Sequence, residues 1–203
     1  MIRNYIFDFG NVLFRSDTTV LTRRYAKREE DRAELEAVVF DRLYWDALDR
    51  GAVTDEAATA AMCERLPARL HDAALAVYND WMYNYALIDG MEDVLREVTQ
   101  RGGRRYLLSN ISRRFAQCWR TVPAIESVLS GFDGLVFSGP LGIVKPDPAI
   151  FCYLLTTYGL SPQECFFVDD LQDNCDAALR LGIRAYRFEG DAASLLAAIR
   201  AEP

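Results

Sequence analysis

The chain has a single histidine, His71, among 203 residues. A zinc site built from several histidines is therefore excluded. A Ser-His-Asp or Cys-His triad would have to use His71, which stands in no recognisable catalytic context. Cysteines are few and lack a framework pattern. Cys63, Cys118, Cys152, Cys165 and Cys175 make an odd number, with no C-x-x-C among them, so they read as reduced thiols in a cytosolic protein. No run of about 18 apolar residues occurs, so no membrane-spanning helix is expected. Met1 to Phe7 is apolar but short and runs into Asp8, without the apolar core and small-residue cleavage site of a signal peptide. Positive charge is also in deficit. Lys and Arg total 23 against 30 Asp and Glu, for a net charge of −7, which argues against nucleic acid or an anionic membrane as partner. A small anionic substrate stays compatible, because a local bound cation overrides a mildly negative field.

What is present is an ordinary globular composition, 51% hydrophobic and 26% charged. The length allows one full core and a smaller accessory unit. The expectation is a cytoplasmic protein, monomer or weak homodimer.

Tyr5-Ile6-Phe7 is a short apolar run ending at Asp8-Phe9-Gly10-Asn11, a buried strand and then a turn. From about residue 15 to 86 the texture is rich in Ala, Arg, Glu and Leu with helical periodicity. Thr54 reads as an N-cap ahead of Asp55 and Glu56, and Gly51 and Pro67 punctuate. A bundle of about four helices is expected there. From Gly90 onward helices and strands alternate. Strands are expected at Arg105 to Leu108, Gly134 to Phe137, Cys165 to Val168 and Ile183 to Phe188. Helices are expected at Met91 to Gln100, Pro148 to Tyr158, Asn174 to Leu181 and Asp191 to Arg200. Alternation of this kind implies an α/β fold with a doubly wound parallel sheet.

Three of the apolar strands end in polar residues: Asp8, Ser109-Asn110 and Asp169-Asp170. In an open parallel sheet, ligands bind beyond the carboxyl ends of the strands, so these distant residues converge. Converging carboxylates repel unless a cation or proton lies between them. A hard divalent cation with oxygen ligands, Mg²⁺ above all, suits two carboxylates with carbonyls and water. Lys145, in the run Gly142-Ile143-Val144-Lys145-Pro146-Asp147-Pro148, could balance the negative charge of such a site.

Asp8-Phe9-Gly10-Asn11-Val12-Leu13, Ser109-Asn110, Lys145-Pro146-Asp147-Pro148 and Val168-Asp169-Asp170 resemble, in order, the four motifs of the haloacid-dehalogenase-like hydrolases. Within that superfamily the chain is similar to a helical-cap branch with glucose-1-phosphate-type sugar phosphatases and the phosphatase domain of epoxide hydrolases. The resemblance implies a Rossmann-like catalytic core over residues 1–14 and 87–203 and an α-helical cap over residues 15–86. It also implies a Mg²⁺-dependent phosphatase acting on small phosphate monoesters, with sugar phosphates foremost. Asp8 would be the nucleophile, and Asp8, the Gly10 carbonyl and Asp170 the metal ligands. Ser109, Asn110 and Lys145 would hold the phosphoryl group, and Lys145 would balance charge. Asp169 and Asn174 would support these groups from behind. The family usually has a second aspartate two positions after the nucleophile, as general acid and base; here that position is Gly10. Asn11, Asp169 or a metal-bound water are the candidate replacements.

Asp173 opens the helix after Asp170 and is a further candidate for the site. Tyr44, Trp45, Asp46 and Arg50 are candidates for contact with the substrate, while Trp81 and Tyr83 read as packing and His71 as a surface helix residue. Three rivals to a phosphatase remain at this stage. A metal-independent haloacid dehalogenase would not require the paired acids Asp169-Asp170. A catalytically impaired binding module is suggested by Gly10. A phosphotransferase or mutase would need a second sugar phosphate as acceptor.

Overall fold

The computed structural model of the chain describes residues 1–202. Strand β1, Asn4–Phe7, is buried along its whole length, as expected of a strand covered on both faces. A short strand β2, Phe14–Ser16, follows the turn after Asp8. Then come five α-helices: α1 Thr18–Tyr25, α2 Glu29–Val39, α3 Arg42–Asp49, α4 Asp55–Glu64 and α5 His71–Asp80. Strand β3, Tyr85–Leu87, runs antiparallel to β2. The two ends of the helical stretch thus meet in a two-stranded ribbon, with Arg15 opposite Ala86.

After β3 the chain alternates. Helix α6, Met91–Gln100, leads to β4, Arg104–Ser109. Helices α7, Arg113–Cys118, and α8, Pro123–Leu129, lead to β5, Gly134–Phe137. The short α9, Ser138–Leu141, and α10, Pro148–Tyr158, lead to β6, Cys165–Asp169. Helix α11, Gln172–Arg180, leads to β7, Arg184–Arg187, and α12, Ala192–Ala201, closes the fold. The main sheet is parallel with order β5-β4-β1-β6-β7, the doubly wound α/β arrangement expected from the alternation.

Side chains alternate across the sheet as strand geometry requires. Tyr5, Phe7, Leu107, Phe166 and Val168 pack on the side of α6, α12 and the helical insertion. Ile6, Tyr106, Leu108, Cys165 and Phe167 pack against α10 and α11. Strand order grows from β1 through β4 to β5, then restarts on the other side at β6. Ligand crevices form at such a reversal, outside the carboxyl ends of the strands. Among the described residues, no helix is long and apolar enough to cross a membrane.

The insertion holds five helices where about four were expected. The extra boundary falls at Ala26-Lys27-Arg28, where Ala26 turns extended. No Gly or Pro marks the break, so helical periodicity runs across it. Helices α7 and α8 fill a stretch for which no element was expected. Their starting signals are present: Ser112 accepts from the Phe115 N–H at 3.3 Å, and Pro123 occupies the first turn of α8. The Thr54 cap is as expected, accepting from the Ala57 N–H at 3.2 Å.

Phe167 is fully buried on the interior strand β6 and meets the Phe151 ring edge to face at 5.3 Å. Phe167→Ala should lower stability by about 3–5 kcal/mol, measured as a drop in the midpoint of urea unfolding. Tyr153→Ala, on an exposed position of α10, should shift stability by no more than about 0.5 kcal/mol.

Candidate active site

Asp8 is the first residue beyond the central strand, and its backbone N–H extends the sheet by donating to the Val168 carbonyl at 2.9 Å. The chain then turns sharply. The N–H groups of Leu13 and Phe14 both reach the Phe9 carbonyl, at 3.1 and 2.9 Å, and the Asn11 N–H returns to the Phe14 carbonyl at 2.8 Å. Asn11 sits in the left-handed region, φ 57°, which Asn tolerates better than most residues. Phe9 is buried and stacks on Phe14 at 4.8 Å, which anchors the turn.

Lys145 is 3% exposed, and Asp169, at the end of β6, is fully buried. The Lys145 ammonium lies between two carboxylates. It donates to Asp169 Oδ2 at 2.6 Å and pairs with Asp8 Oδ1 at 2.8 Å. The second contact is out of line for a directed hydrogen bond, so Asp8 Oδ1 is buried with a cation beside it but no donor of its own. Asp169 is saturated. Its Oδ1 accepts from the Leu171 N–H and from Asn174 Nδ2, each at 2.9 Å. Asp169 therefore supports Lys145 directly, and Asn174 supports Asp169.

Asp170 stands in front of this pair, half-buried, and receives Asn11 Nδ2 at 3.2 Å. Asp8, Asp169 and Asp170 each place a carboxylate oxygen within 4.8 Å of the others. This crowding has electrostatic consequences. Burial raises the Asp8 carboxyl, Lys145 opposes the rise and Asp169 adds to it, leaving Asp8 at about 6. Burial and the Asp169 charge raise Asp170 as well. Burial works against the Lys145 ammonium, but Asp8 and Asp169 outweigh it and hold Lys145 above its ordinary value. Two raised carboxyls and an undonated buried oxygen are the environment that a divalent cation relieves. The donor set fits Mg²⁺: Asp8 and Asp170 as carboxylates, with the Gly10 carbonyl, which accepts no hydrogen bond among the described residues.

Ser109 is buried at the end of β4, and it lines the cavity above the carboxylates together with Asn110. The Asn110 side chain is bonded to the Lys145 loop. Its Nδ2 donates to the Lys145 carbonyl at 2.9 Å, and its Oδ1 accepts from the Lys145 N–H at 2.8 Å. Both ends of the amide are spent on holding the Lys145 loop, which leaves the Asn110 backbone to face the cavity.

The cavity has a volume of about 660 Å³. Its floor holds Asp8, Gly10, Asn11, Ser109, Asn110, Lys145, Asp170, Asp173 and Asn174. Its roof comes from the helical insertion and ribbon, through Phe40, Arg42, Trp45, Asp46, Asp49, Arg50, Trp81 and Tyr85. Of the aromatic and charged candidates on α3, Trp45, Asp46 and Arg50 face the cavity. Tyr44 does not line it, and its hydroxyl donates to the Ala61 carbonyl at 3.2 Å. Trp81 is packing and wall at once: it is buried against Trp45 at 4.9 Å, lines the cavity, and has an indole N–H without an acceptor. Tyr83 is exposed, and His71 sits at the start of α5 with its ring 3.0 Å from the Leu66 carbonyl. Arg42, Asp49 and Tyr85 were not singled out in the sequence. Helical spacing from Trp45 and Asp46 would have put Arg42 and Asp49 on a shared face, but nothing local marked that face as inward.

A model of haloacid dehalogenase-like hydrolases matches residues 2–182. The chain is 28% identical over 196 residues to a drimenol cyclase of Aspergillus calidoustus, covering 93% of the chain but only 34% of that longer protein. It is 26% identical over 207 residues to a D-ribitol-5-phosphate phosphatase of Bacteroides thetaiotaomicron, covering 95% of the chain and 94% of the relative. Among solved structures, a predicted hydrolase of the same family from Porphyromonas gingivalis superposes with a TM-score of 0.71 at 23% identity, covering all of both chains. A family enzyme from Bacteroides thetaiotaomicron, solved with magnesium and inorganic phosphate, gives 0.65 at 23% identity over 96% of this chain and 99% of that one. At these identities the structural likenesses speak to fold.

Lys145→Met should destabilise the protein by about 3–5 kcal/mol near neutral pH, because two buried carboxylates lose their counter-charge. Without the ammonium, the Asp8 carboxyl, already at about 6, keeps its proton to higher pH when folded than when unfolded. That contribution is present at low pH and is lost as pH rises through the folded value. Urea unfolding across pH should therefore show the gap to wild type widest above about pH 7 and narrowing toward about pH 4.

Proposed function

The chain belongs to the haloacid dehalogenase-like hydrolase family, and on that premise we propose that it hydrolyses small phosphate monoesters with Asp8 as nucleophile. Residues 1–14 and 87–203 are the catalytic core in this reading. Residues 15–86 are a cap that closes over the core, excludes water and selects the substrate. One observation carries the proposal. Asp8 lies at the floor of a cavity, paired with a buried lysine that a second buried aspartate holds in place.

The chemistry follows from the placement of the side chains. Asp8 attacks phosphorus, the bond from phosphorus to the leaving alcohol breaks, and the phosphoryl group stays on Asp8. Water then attacks, the bond from phosphorus to Asp8 breaks, and phosphate leaves with the carboxylate restored. Lys145 neutralises charge on the phosphoryl oxygens and keeps Asp8 oriented. The Ser109 hydroxyl and the Asn110 backbone bind those oxygens. A Mg²⁺ ion held by Asp8, the Gly10 carbonyl and Asp170 would reduce repulsion between the carboxylate and the phosphate.

The roof suggests the kind of leaving group. Aromatic walls at Trp45 and Trp81, beside Arg42, Asp46 and Arg50, suit a polyhydroxylated group, which offers both an apolar face and hydrogen-bonding hydroxyls. A cavity of about 660 Å³ is in the range of small-molecule sites. The likeness to a sugar-alcohol phosphatase along nearly its whole length supports the same substrate class. Asp170 in front of the site favours this reading over metal-independent dehalogenation.

A screen of phosphorylated metabolites should give phosphate release that requires Mg²⁺ and stops with a chelator. Asp8→Asn should lower it by at least about 10³-fold. Magnesium should also raise the melting temperature of the wild type and not that of Asp170→Asn. Turnover of a haloacid that survives chelation would contradict the proposal.

A further inference from the structure

Position 10 is open. A Cβ built at Gly10 meets no atom within 4 Å, and its backbone is not in the left-handed region. A Cβ fits there without strain, and the chain has no side chain at that position. Proton transfer to the leaving group and from the attacking water then needs another donor at the same cavity.

We propose that Asp49, the last residue of α3 in the helical insertion, is that donor: a catalytic acid and base supplied from the roof. The inference rests on the phosphatase reading above. Asp49 lines the cavity that holds Asp8, Gly10 and Lys145. Its carboxyl makes no hydrogen bond and no ion pair among the described residues. The nearest guanidinium on its own helix, that of Arg42, pairs with Asp46 at 2.8 Å instead. A half-buried carboxyl left without a protein partner, facing a reactive site, is free to meet a substrate.

Asp49 is also held firmly. Ser138, at the start of α9 on the same edge of the main sheet, donates its hydroxyl to the Asp49 carbonyl at 2.6 Å and accepts from the Ile111 N–H at 2.9 Å. Two residues on, Gly51 adopts φ 62°, and a Cβ there would collide with the Gly139 carbonyl. The end of α3 is therefore docked closely on the core, as a proton donor supplied from the roof requires.

The surroundings of Asp49, burial first among them, favour the protonated state. Burial raises the carboxyl, Arg42 opposes this, Asp46 and Asp8 raise it further and Lys145 opposes, leaving Asp49 at about 8. Tyr85, from the ribbon, faces the same group: its hydroxyl is raised by burial and then by the charges of Asp49 and Asp8. Asp49 thus enters the first step as an acid. Its proton passes to the oxygen of the departing alcohol as the bond to phosphorus breaks, leaving an Asp49 carboxylate. In the second step that carboxylate takes a proton from the attacking water as the bond from phosphorus to Asp8 breaks. Ester and water give alcohol and phosphate, and both carboxyls return to their starting states.

The test compares two leaving groups. Nitrophenolate departs without a proton, whereas an alkoxide needs one, and kcat/KM reports the steps through its departure. For wild type, Asp49→Asn, Asp8→Asn and Asp49→Asn/Gly10→Asp, kcat/KM is measured on p-nitrophenyl phosphate and on the alkyl phosphate that wild type hydrolyses fastest. Asp49→Asn should lose about 10²-fold or more on the alkyl ester and stay within about threefold on the nitrophenyl ester, which also shows that it is folded. Gly10→Asp should restore at least about tenfold of the alkyl activity, while Asp8→Asn abolishes both. Equal loss on the two esters without recovery, or no loss on either, overturns the role of Asp49 and leaves the phosphatase reading standing. A wild type that hydrolyses only the nitrophenyl ester also overturns it. Release from neither ester brings down the phosphatase reading, and this inference with it.

Discussion

A buried ammonium between two carboxylates organises the molecule. Lys145 needs Asp8 and Asp169, because an uncompensated charge in that position would be costly, and neither acid can be buried so close to the other without it. Each partner sits at the end of its own segment: Asp8 after β1, Asp169 at the end of β6, Lys145 on the loop before α10. The ion pairs can form only when β1 and β6 are neighbours in register, as they are from Asn4 opposite Cys165 to Phe7 opposite Val168. Asn110, the residue after β4, fixes the lysine loop through both ends of its amide. Three strands and one loop are thus tied at a single point, which is also the point where the proposed chemistry begins.

The helical insertion completes what the sheet starts. The sheet edge alone presents carboxylates, a lysine and a serine at an open rim. The ribbon of β2 and β3 carries the chain up and back, and α3 returns to touch the core through Asp49, Gly51 and Ser138. The aromatic side chains Phe9, Tyr85, Trp81 and Trp45 run in contact from the turn after Asp8 into the insertion, with ring centroids 4.9–5.7 Å apart. Floor and roof are therefore one packed body at this contact. A group supplied from the roof can then be as well oriented as one from the floor, the condition that a proton donor on α3 requires.

The sheet and most of the floor could be read from the sequence because both rest on local signals. Apolar runs of three or four residues ending in Asp8, Ser109 and Asp169 mark strands and their carboxyl ends, and the alternation with helices implies the parallel order. Roles that depend on which neighbour a side chain meets were less legible. Asp169 could have supported either Asp170 or Lys145, and the geometry selects Lys145. Asn110 was expected near the phosphoryl group without a choice between backbone and side chain, and its side-chain amide turns to the lysine backbone. The roof was hardest. Residues of α3 carry polar and aromatic groups on several faces, and only docking against α9 decides which of them turn inward. Asp49 has no motif around it, and its importance arises from the vacancy at Gly10, which lies about forty residues away in sequence and across the cavity in space.

The central claim is that Asp8 forms the bond to phosphorus beside Lys145 and a metal ion. Trapping the aspartyl-phosphate tests it most directly. The enzyme is quenched in acid during turnover of a phosphate monoester with Mg²⁺, digested, and examined by mass spectrometry. The account predicts a phosphoryl group on the peptide that contains Asp8, absent from Asp8→Asn and absent without magnesium. Turnover with no phosphorylated Asp8, or with the phosphoryl group on another residue, would contradict it.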